Sequence, residues 1–148
     1  MAVVPPWTRT KAMTTDEGFH GVSVLVVEDE AFTRMVLVRM LSGLGVTTVH
    51  QAGDGGEGLA AVAAHAPDLI LCDVEMQPMD GFAFLRALRG GENRRHAGLP
   101  VVFMTSRADE DRLAEARACG ADAILAKPAT PDTLRRALRE RLAARVVG

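Results

Sequence analysis

Acidic, hydroxyl and lysine side chains recur in this sequence at the points where short apolar runs end. Glu28 and Asp29 follow VSVLVV, Asp73 follows DLILC, Thr105 ends VVFMT, and Lys127 follows DAILA. Three carboxylates brought close together repel one another and raise their own pKa values unless a cation lies among them. Because no histidine or cysteine cluster has zinc spacing, the pattern predicts a site for Mg²⁺, which binds a few carboxylates together with water and phosphoryl oxygens.

Lys127 and Thr105 indicate the ligand that such a site would hold. Lys127 is one of two lysines among the 17 basic residues, the other being Lys11. A compact ammonium can pair with Asp73 and afterwards with a phosphoryl oxygen, and the Thr105 hydroxyl can donate a hydrogen bond to another such oxygen. The sequence therefore predicts a site that holds a phosphoryl group on a carboxylate.

The apolar runs alternate with helical patterns, which is typical of a parallel sheet covered by helices on both faces. The predicted strands are Val22–Val27, Val46–His50, Asp68–Cys72, Val101–Thr105 and Asp122–Ala126, and the predicted helices are Phe32–Leu44, Gly56–His65, Phe82–Arg89, Asp109–Cys119 and Asp132–Arg145. Residues 90–98 (GGENRRHAG) are predicted to form a polar loop. The predicted fold class is therefore α/β, a doubly wound five-stranded parallel sheet. Ligands bind such sheets at the carboxyl ends of the strands, where the polar residues are expected to converge.

Length and charge favour a single domain whose function depends on a local site. The 148 residues are enough for one core, predicted over residues 22–148, after a flexible N-terminal tail over residues 1–21 in which Met13 is an alternative start. The net charge of −2 gives no cationic field for nucleic acid, and no segment approaches the roughly 18 apolar residues that span a bilayer. Two cysteines and the absence of a signal-peptide pattern predict a cytoplasmic protein.

The motifs at the strand ends resemble a known family, the receiver domains of bacterial two-component response regulators. The stretches VVEDE, LILCDVEMQPMDG, VVFMTS and AKP have the order and spacing of this family, and the resemblance covers residues 22–147. It is greatest to single-domain members such as the chemotaxis regulators. The resemblance implies a flavodoxin-like (βα)5 receiver fold, and a signalling module that is no enzyme apart from catalysing its own phosphorylation and dephosphorylation.

The resemblance implies roles for the acidic residues. Asp73 is the expected phosphoacceptor, which receives the phosphoryl group from a histidine kinase or a histidine phosphotransferase. Glu28, Asp29 and Asp73, together with the backbone carbonyl of Glu75, are expected to hold Mg²⁺. Pro78 falls one position later than the loop proline of the family, which predicts a reshaped loop around Glu75.

The resemblance also implies roles at the ends of the last two strands. Thr105 is the expected switch hydroxyl, and Lys127 is expected to pair with the phosphoryl group, next to a Lys127–Pro128 peptide that is typically cis in the family. Ile124 stands where the family usually has an aromatic switch residue. A swinging aromatic ring therefore cannot transmit phosphorylation in this chain, and a smaller movement near Thr105 is expected instead.

Helix Phe32–Leu44 is apolar on more than one face, which is typical of a contact surface. The outward residues are predicted to be Phe32, Met35 and Val38, and the inner face is predicted to consist of Val36, Met40, Leu41 and Leu44. In receiver domains this helix commonly docks a histidine kinase or a histidine phosphotransferase, so the outward residues are expected to bind that partner. An ordinary surface without a partner and a dimer seam are the alternatives.

Glu75 and Arg107 lie two positions after Asp73 and Thr105 and have opposite charges. In this family the two positions tune the access of water to the phosphoryl group. The sequence therefore leaves two predictions open: two solvated side chains, or a Glu75–Arg107 pair across the mouth of the site as a partial lid.

Two other functions are compatible with parts of the sequence. Gly53, Gly55 and Gly58 form a G-x-G-x-x-G pattern about 20 residues before Asp73, as in a dinucleotide-binding oxidoreductase. A strand-to-helix turn capped by Asp54 explains the glycines better, because the oxidoreductase function leaves the other polar residues unused. The second alternative is a degenerate receiver that binds a partner without phosphotransfer, which the acceptor, hydroxyl and lysine motifs argue against.

Little of the chain follows the fifth predicted helix, which leaves no space for an output domain there. The protein is therefore expected to act by contact with an unknown downstream protein, or as a phosphorelay intermediate or phosphoryl sink.

Overall fold

The computed structural model describes residues 19–147, and side chains are described as far as residue 143. The strands are β1 (Ser23–Val27), β2 (Thr48–Ala52), β3 (Leu69–Asp73), β4 (Val101–Thr105) and β5 (Ala123–Ala126). They form one parallel sheet in the order β2-β1-β3-β4-β5. The predicted doubly wound five-stranded parallel sheet is therefore confirmed.

Helices cover both faces of the sheet. They are α1 (Ala31–Gly43), α2 (Gly55–His65), α3 (Gly81–Arg89), α4 (Arg94–Ala97), α5 (Glu110–Cys119) and α6 (Pro131–Val147). Helices α1 and α6 pack on one face, whereas α2, α3 and α5 pack on the other. All five residues of β3 and of β4 are buried, because these central strands are covered on both sides.

The four-residue helix α4 corrects the prediction of a polar loop over residues 90–98. The Asn93 side chain accepts hydrogen bonds from the backbone N–H groups of Arg95 and His96, at 3.0 and 3.3 Å, and so caps the helix. The glycines that flank this segment made the loop the simpler prediction, but a good N-cap is sufficient for one helical turn.

Aspartate side chains begin the helices that follow β2, β3 and β4. Asp54, Asp80 and Asp109 each accept a hydrogen bond from a backbone N–H three residues further along, at 2.8 to 2.9 Å. An N-cap satisfies one of the backbone donors that the first turn of a helix leaves unpaired. The caps fix where each helix starts, and hence the short connections between strand ends and helices.

The apolar core extends beyond the predicted domain boundary at residue 22. Phe19 lies in the predicted tail, yet its side chain is 1% exposed and belongs to the core cluster beneath α1 and α6. Burial of an aromatic ring removes a large apolar area from water. The free energy gained in this way outweighs the conformational entropy lost when residues 19–21 become ordered. Residues 1–18, including Met13, lie outside the described residues.

The glycines of GDGGEG serve packing. The Asp54 side chain caps α2, as predicted. A Cβ on Gly55 would lie 2.5 Å from Met79 Sδ, and one on Gly58 would lie 2.9 Å from a ring carbon of Phe84. Because the loop after β3 and helix α3 approach α2 this closely, a Cβ at Gly55 would displace the Met79 side chain and one at Gly58 would displace the Phe84 ring. The approach of Met79 in the loop after β3 and of Phe84 in α3 accounts for these two glycines without a dinucleotide.

Within residues 19–147, no helix combines the length and the apolar character that crossing a membrane would require.

Candidate functional site

The predicted polar residues meet at the carboxyl edge of the sheet. Glu28 and Asp29 follow β1, Asp73 and Thr105 are the last residues of β3 and β4, and Lys127 follows β5. Because β1, β3, β4 and β5 are consecutive neighbours in a parallel sheet, their ends lie side by side. The predicted convergence of these five residues is what the structure shows.

Three carboxylates form a cluster at the centre of this edge. Glu28, Asp29 and Asp73 each offer one oxygen atom, and these oxygens lie within 4.8 Å of one another. Glu28 and Asp73 are buried and Asp29 is exposed, so the cluster opens to solvent on one side. The buried Oε1 of Glu28 accepts no hydrogen bond. An all-oxygen donor set with an unsatisfied buried atom fits a hard divalent cation such as Mg²⁺.

Lys127 provides positive charge beside two of these carboxylates. Its Nζ lies 2.9 Å from Asp73 Oδ1 and 3.4 Å from Glu28 Oε1. The Lys127–Pro128 peptide is cis, as predicted from the resemblance. The ammonium therefore contacts the acceptor candidate Asp73 directly.

Burial distorts the pKa values at this edge. Burial, reinforced by the charge of Asp73, raises the pKa of Glu28 from its ordinary 4.5 to about 7. Burial also raises the pKa of Asp73, although its hydrogen bond with Lys127 opposes the shift. Burial works against the charge on Lys127, but the two carboxylates outweigh it and raise the pKa of Lys127. The edge as a whole carries negative charge that a bound cation would relieve.

Glu75 is tied to the end of β4. The Thr105 hydroxyl donates to Glu75 Oε2 at 2.5 Å, and the backbone N–H and hydroxyl of Ser106 donate to Oε1 at 3.1 and 3.2 Å. Arg112, in the first turn of α5, places Nη2 3.4 Å from Glu75 Oε2. Burial alone would raise the pKa of Glu75, but these hydrogen bonds and the charge of Arg112 outweigh burial and lower it.

The predicted pair between Glu75 and Arg107 is wrong. The Arg107 guanidinium instead donates to Asp109 at 2.9 Å, and its side chain is 61% exposed. Asp109 is two residues away on the same turn, so the pair forms without ordering a second loop, whereas Glu75 is already engaged by Arg112. Sequence reasoning missed Arg112, because no local signal separates it from the other arginines of α5.

The loop after β3 bends toward β1. The backbone N–H of Gln77 donates to Asp29 Oδ2 at 3.3 Å, and the Gln77–Pro78 peptide is cis.

Ile124, at the position of the expected switch residue, is half-buried and packs against the cluster beneath α3 and α5. Its side chain has no polar group that could form a hydrogen bond with a phosphoryl oxygen or with a residue that binds one.

Helix α1 presents apolar side chains beside the site. Phe32 and Met35 are 75% and 55% exposed, as predicted, whereas Val38 is half-buried. The inner face contains Leu37, which the periodicity missed, and Val36 is half-buried where a fully inner position was predicted. The exposed pair therefore lies at the start of α1, next to the carboxyl edge of the sheet.

The sequence of residues 24–139 matches the family model of the response regulator receiver domain. The chain belongs to this receiver-domain family. It is similar to the chemotaxis protein CheY of Pseudomonas aeruginosa, with 32% identity over 127 residues that cover 86% of this chain and 100% of that protein. The family assignment confirms the resemblance and places the chain in two-component signal transduction.

Other relatives share the domain within different proteins. The transcriptional regulator NtrC of Salmonella typhimurium is 41% identical over 105 residues, which cover 71% of this chain and 21% of NtrC. The chain thus spans about a fifth of the length of that relative.

A solved structure of a relative contains ligands. The receiver domain of the histidine kinase CKI1 from Arabidopsis thaliana, complexed with Mg²⁺ and BeF₃⁻, is similar with a TM-score of 0.77 and 27% identity, over 88% of this chain and 95% of that chain. Receiver domains bind Mg²⁺ at an acidic site, and the carboxylates after β1 and β3 form such a cluster here.

Proposed function

We propose that this receiver domain accepts a phosphoryl group on Asp73 from the phosphohistidine of a histidine kinase or a histidine phosphotransferase. The observation that carries the proposal is the position of Asp73, whose Oδ1 lies 2.9 Å from Lys127 Nζ within the three-carboxylate cluster. Thr105 ends the neighbouring strand β4, so its hydroxyl lies at the same edge. A nucleophile, a cation site, an ammonium and a hydroxyl donor are thus supplied by four adjacent strands.

The transfer is a displacement at phosphorus. A bond forms from an Asp73 carboxylate oxygen to phosphorus as the bond from phosphorus to the imidazole nitrogen of the donor breaks, and the released nitrogen keeps the electron pair and takes up a proton. The Asp73 carboxylate loses its negative charge when it bonds to phosphorus. The Lys127 ammonium then leaves Asp73 and pairs with a negatively charged phosphoryl oxygen. The Thr105 hydroxyl donates to another phosphoryl oxygen.

Glu28, Asp29, Asp73 and the backbone carbonyl of Glu75 are the groups we propose to hold Mg²⁺. When bound, Mg²⁺ neutralises charge on the transferring phosphoryl oxygens and screens the carboxylates from one another. The residues themselves fix the location of that charge, because Glu28 is buried with an oxygen that accepts no hydrogen bond. Asp29 is held toward the site by the N–H of Gln77.

The partner is proposed to dock on α1 beside the site. Phe32 and Met35 are exposed large apolar side chains, and Phe32 also lines a groove whose other side includes Lys127 and Pro128. An apolar surface that adjoins the acceptor lets a donor histidine approach while its own helices bury these side chains. Output is proposed to occur by contact with a further protein or by passing the phosphoryl group on.

Phosphorylation with a small donor tests the function without the partner. The chain is incubated with Mg²⁺ and acetyl phosphate, and intact mass and acid-labile phosphate are measured. The wild-type chain should gain one phosphoryl group, and Asp73→Asn should gain none. Asp132→Asn, a matched change at an exposed aspartate on α6, should be labelled normally. Retained acid-labile phosphate in Asp73→Asn would contradict the assignment.

A further inference from the structure

The carboxylate of Glu75 occupies the hydrogen-bond donors that end β4. Its oxygens accept from the Thr105 hydroxyl at 2.5 Å and from the Ser106 backbone N–H at 3.1 Å. A hydroxyl carries one proton, so Thr105 cannot donate to Glu75 and to a phosphoryl oxygen at the same time. A phosphoryl group on Asp73 therefore has to displace Glu75 before it gains the Thr105 hydroxyl.

Arg112 anchors this carboxylate from helix α5. Its Nη2 lies 3.4 Å from Glu75 Oε2, and its guanidinium lies over the Phe82 ring, 5.5 Å from the centroid. The Arg112 side chain is 18% exposed, so the pair is partly shielded from water and less screened than a surface pair. Arg112 has a second carboxylate neighbour, Glu115 on α5, at 3.9 Å. Displacement of Glu75 therefore removes the partner that links Arg112 to the phosphoryl site and leaves only the one within its own helix.

The polar contacts Thr105–Glu75–Arg112 connect the phosphoryl site to a helix. Ile124, at the usual place of an aromatic switch residue, is half-buried in apolar contacts and offers no polar link. Any response to phosphorylation requires a contact that differs between the two states. Glu75 provides one, because it and the phosphoryl group compete for the same donor.

We propose that Arg112 is a positioning residue that holds Glu75 on Thr105 as an internal competitor of the phosphoryl group, so that phosphoryl capture releases Arg112 and alters helix α5. This proposal rests on the proposed phosphorylation of Asp73. The signal then leaves the site through the first turn of α5 instead of through a rotating aromatic ring on β5.

Amide hydrogen exchange over residues 105–119 tests the proposal, measured before and after incubation with Mg²⁺ and acetyl phosphate, with intact mass taken on the same samples. In the wild-type chain, exchange in the first turn of α5 should rise severalfold on phosphorylation. Glu75→Ala should show the faster exchange without phosphate and change little afterwards. Glu75→Asp keeps the charge but is too short to reach Thr105, so it should behave like Glu75→Ala.

Two arginine variants provide the matched comparison. Arg112→Gln should lose the response of α5 in those chains that the mass shows to be phosphorylated, whereas Arg107→Gln should respond like the wild type. Both variants remove a guanidinium from the segment after β4, but Arg107 pairs with Asp109 and Arg112 pairs with Glu75.

Unchanged exchange in unphosphorylated Glu75→Ala, or equal behaviour of the two arginine variants, would overturn the proposal. A wild-type chain that never gains a phosphoryl group would refute the proposed function instead. In that case the unphosphorylated wild-type and Glu75→Ala samples still decide whether the Glu75 contact restrains α5.

Discussion

The two edges of the sheet carry charge in opposite ways. At the carboxyl edge, three carboxylates lie together, and burial raises the pKa of Glu28 to about 7. At the amino edge, a guanidinium lies among backbone carbonyls and a carboxylate that are already hydrogen-bonded to it. The first edge gains from binding a cation, and the second has its charge balanced within the fold.

Arg89 organises the amino edge. Its Nη1 donates to the carbonyls of Ala97 and Leu99 at 2.8 and 2.6 Å, and its Nη2 donates to the Gly120 carbonyl at 2.8 Å and to Asp122 at 3.2 Å. The end of α3 is thereby joined to the segments that precede β4 and β5. Charge at this edge stabilises the fold.

Glu28 shows the contrast at the other edge. Its Oε2 accepts from the Glu30 backbone N–H at 3.1 Å, but its buried Oε1 accepts no hydrogen bond. The Lys127 ammonium lies 3.4 Å from Oε1 without a hydrogen bond to it, and a buried carboxylate oxygen without a hydrogen bond costs free energy in the folded state. The two edges therefore differ in function according to whether hydrogen bonds within the fold satisfy their charged groups.

The largest effect on stability is expected from Arg89→Met. Loss of the guanidinium removes the donor from two partly buried contacts, with the carbonyls of Ala97 and Leu99, and from the ion pair with Asp122, so we expect the free energy of unfolding to fall by about 3 kcal/mol. Urea denaturation measures the loss, and acetyl phosphate should still label the folded variant. A loss below about 1 kcal/mol, or an unlabelled folded variant, would show that the two edges do not divide these roles.

A smaller effect is expected from pH. The pKa of Glu28 is about 7 in the folded chain and 4.5 ordinarily, so the folded state binds the proton more tightly. This stabilisation is fully present below about 4.5 and is lost as the pH rises through about 7, on the order of 2 kcal/mol. The urea midpoint of unfolding is measured between pH 5 and 8 in EDTA for the wild type and for Glu28→Gln. The difference between the two chains gives the contribution of Glu28, and midpoints that vary with pH in the same way in both chains would contradict the prediction.

Mg²⁺ should restore the stability that the folded chain loses as the pH rises, and the effect should be smaller in Glu28→Gln. We expect Mg²⁺ to stabilise the wild-type chain at pH 8, because the cation replaces the missing proton as the partner of the carboxylates. Glu28→Gln should lower Mg²⁺ affinity about tenfold, or ~1.4 kcal/mol. Calorimetric titration measures this, with Asp68→Asn at the amino edge as the control. Equal affinities in the wild type and Glu28→Gln would remove Glu28 from the cation site.

The smallest effect is expected on partner docking. Phe32→Ala and Met35→Ala should each slow phosphoryl transfer from a histidine kinase that labels the wild type, because each removes an exposed apolar side chain from the docking surface. The expected increase in activation free energy is about 1 kcal/mol. Labelling by acetyl phosphate should be unchanged. Arg94→Ala, at the amino edge, should affect neither donor. Equal slowing with both donors would indicate damage to the site instead of a docking surface.

The fold class, and the edge of the sheet at which the polar residues meet, could be predicted from the order of the residues alone. The alternation of apolar runs with helical patterns requires a parallel sheet, and in such a sheet every residue that follows a strand lies at the same edge. Asp73, Thr105 and Lys127 could therefore be placed together from their positions at the ends of three apolar runs alone.

The contacts between side chains across that edge could not be predicted in this way, because they depend on how the helices and loops pack in three dimensions. Sequence spacing paired Glu75 with Arg107, whereas the fold pairs Glu75 with Arg112, because helix α5 turns Arg112 back toward the loop after β3. Likewise the fold buries Glu28 and exposes its neighbour Asp29. Strand and helix periods are local properties of the backbone, but the partner of a charged side chain depends on distances between elements far apart in sequence, which no local pattern records.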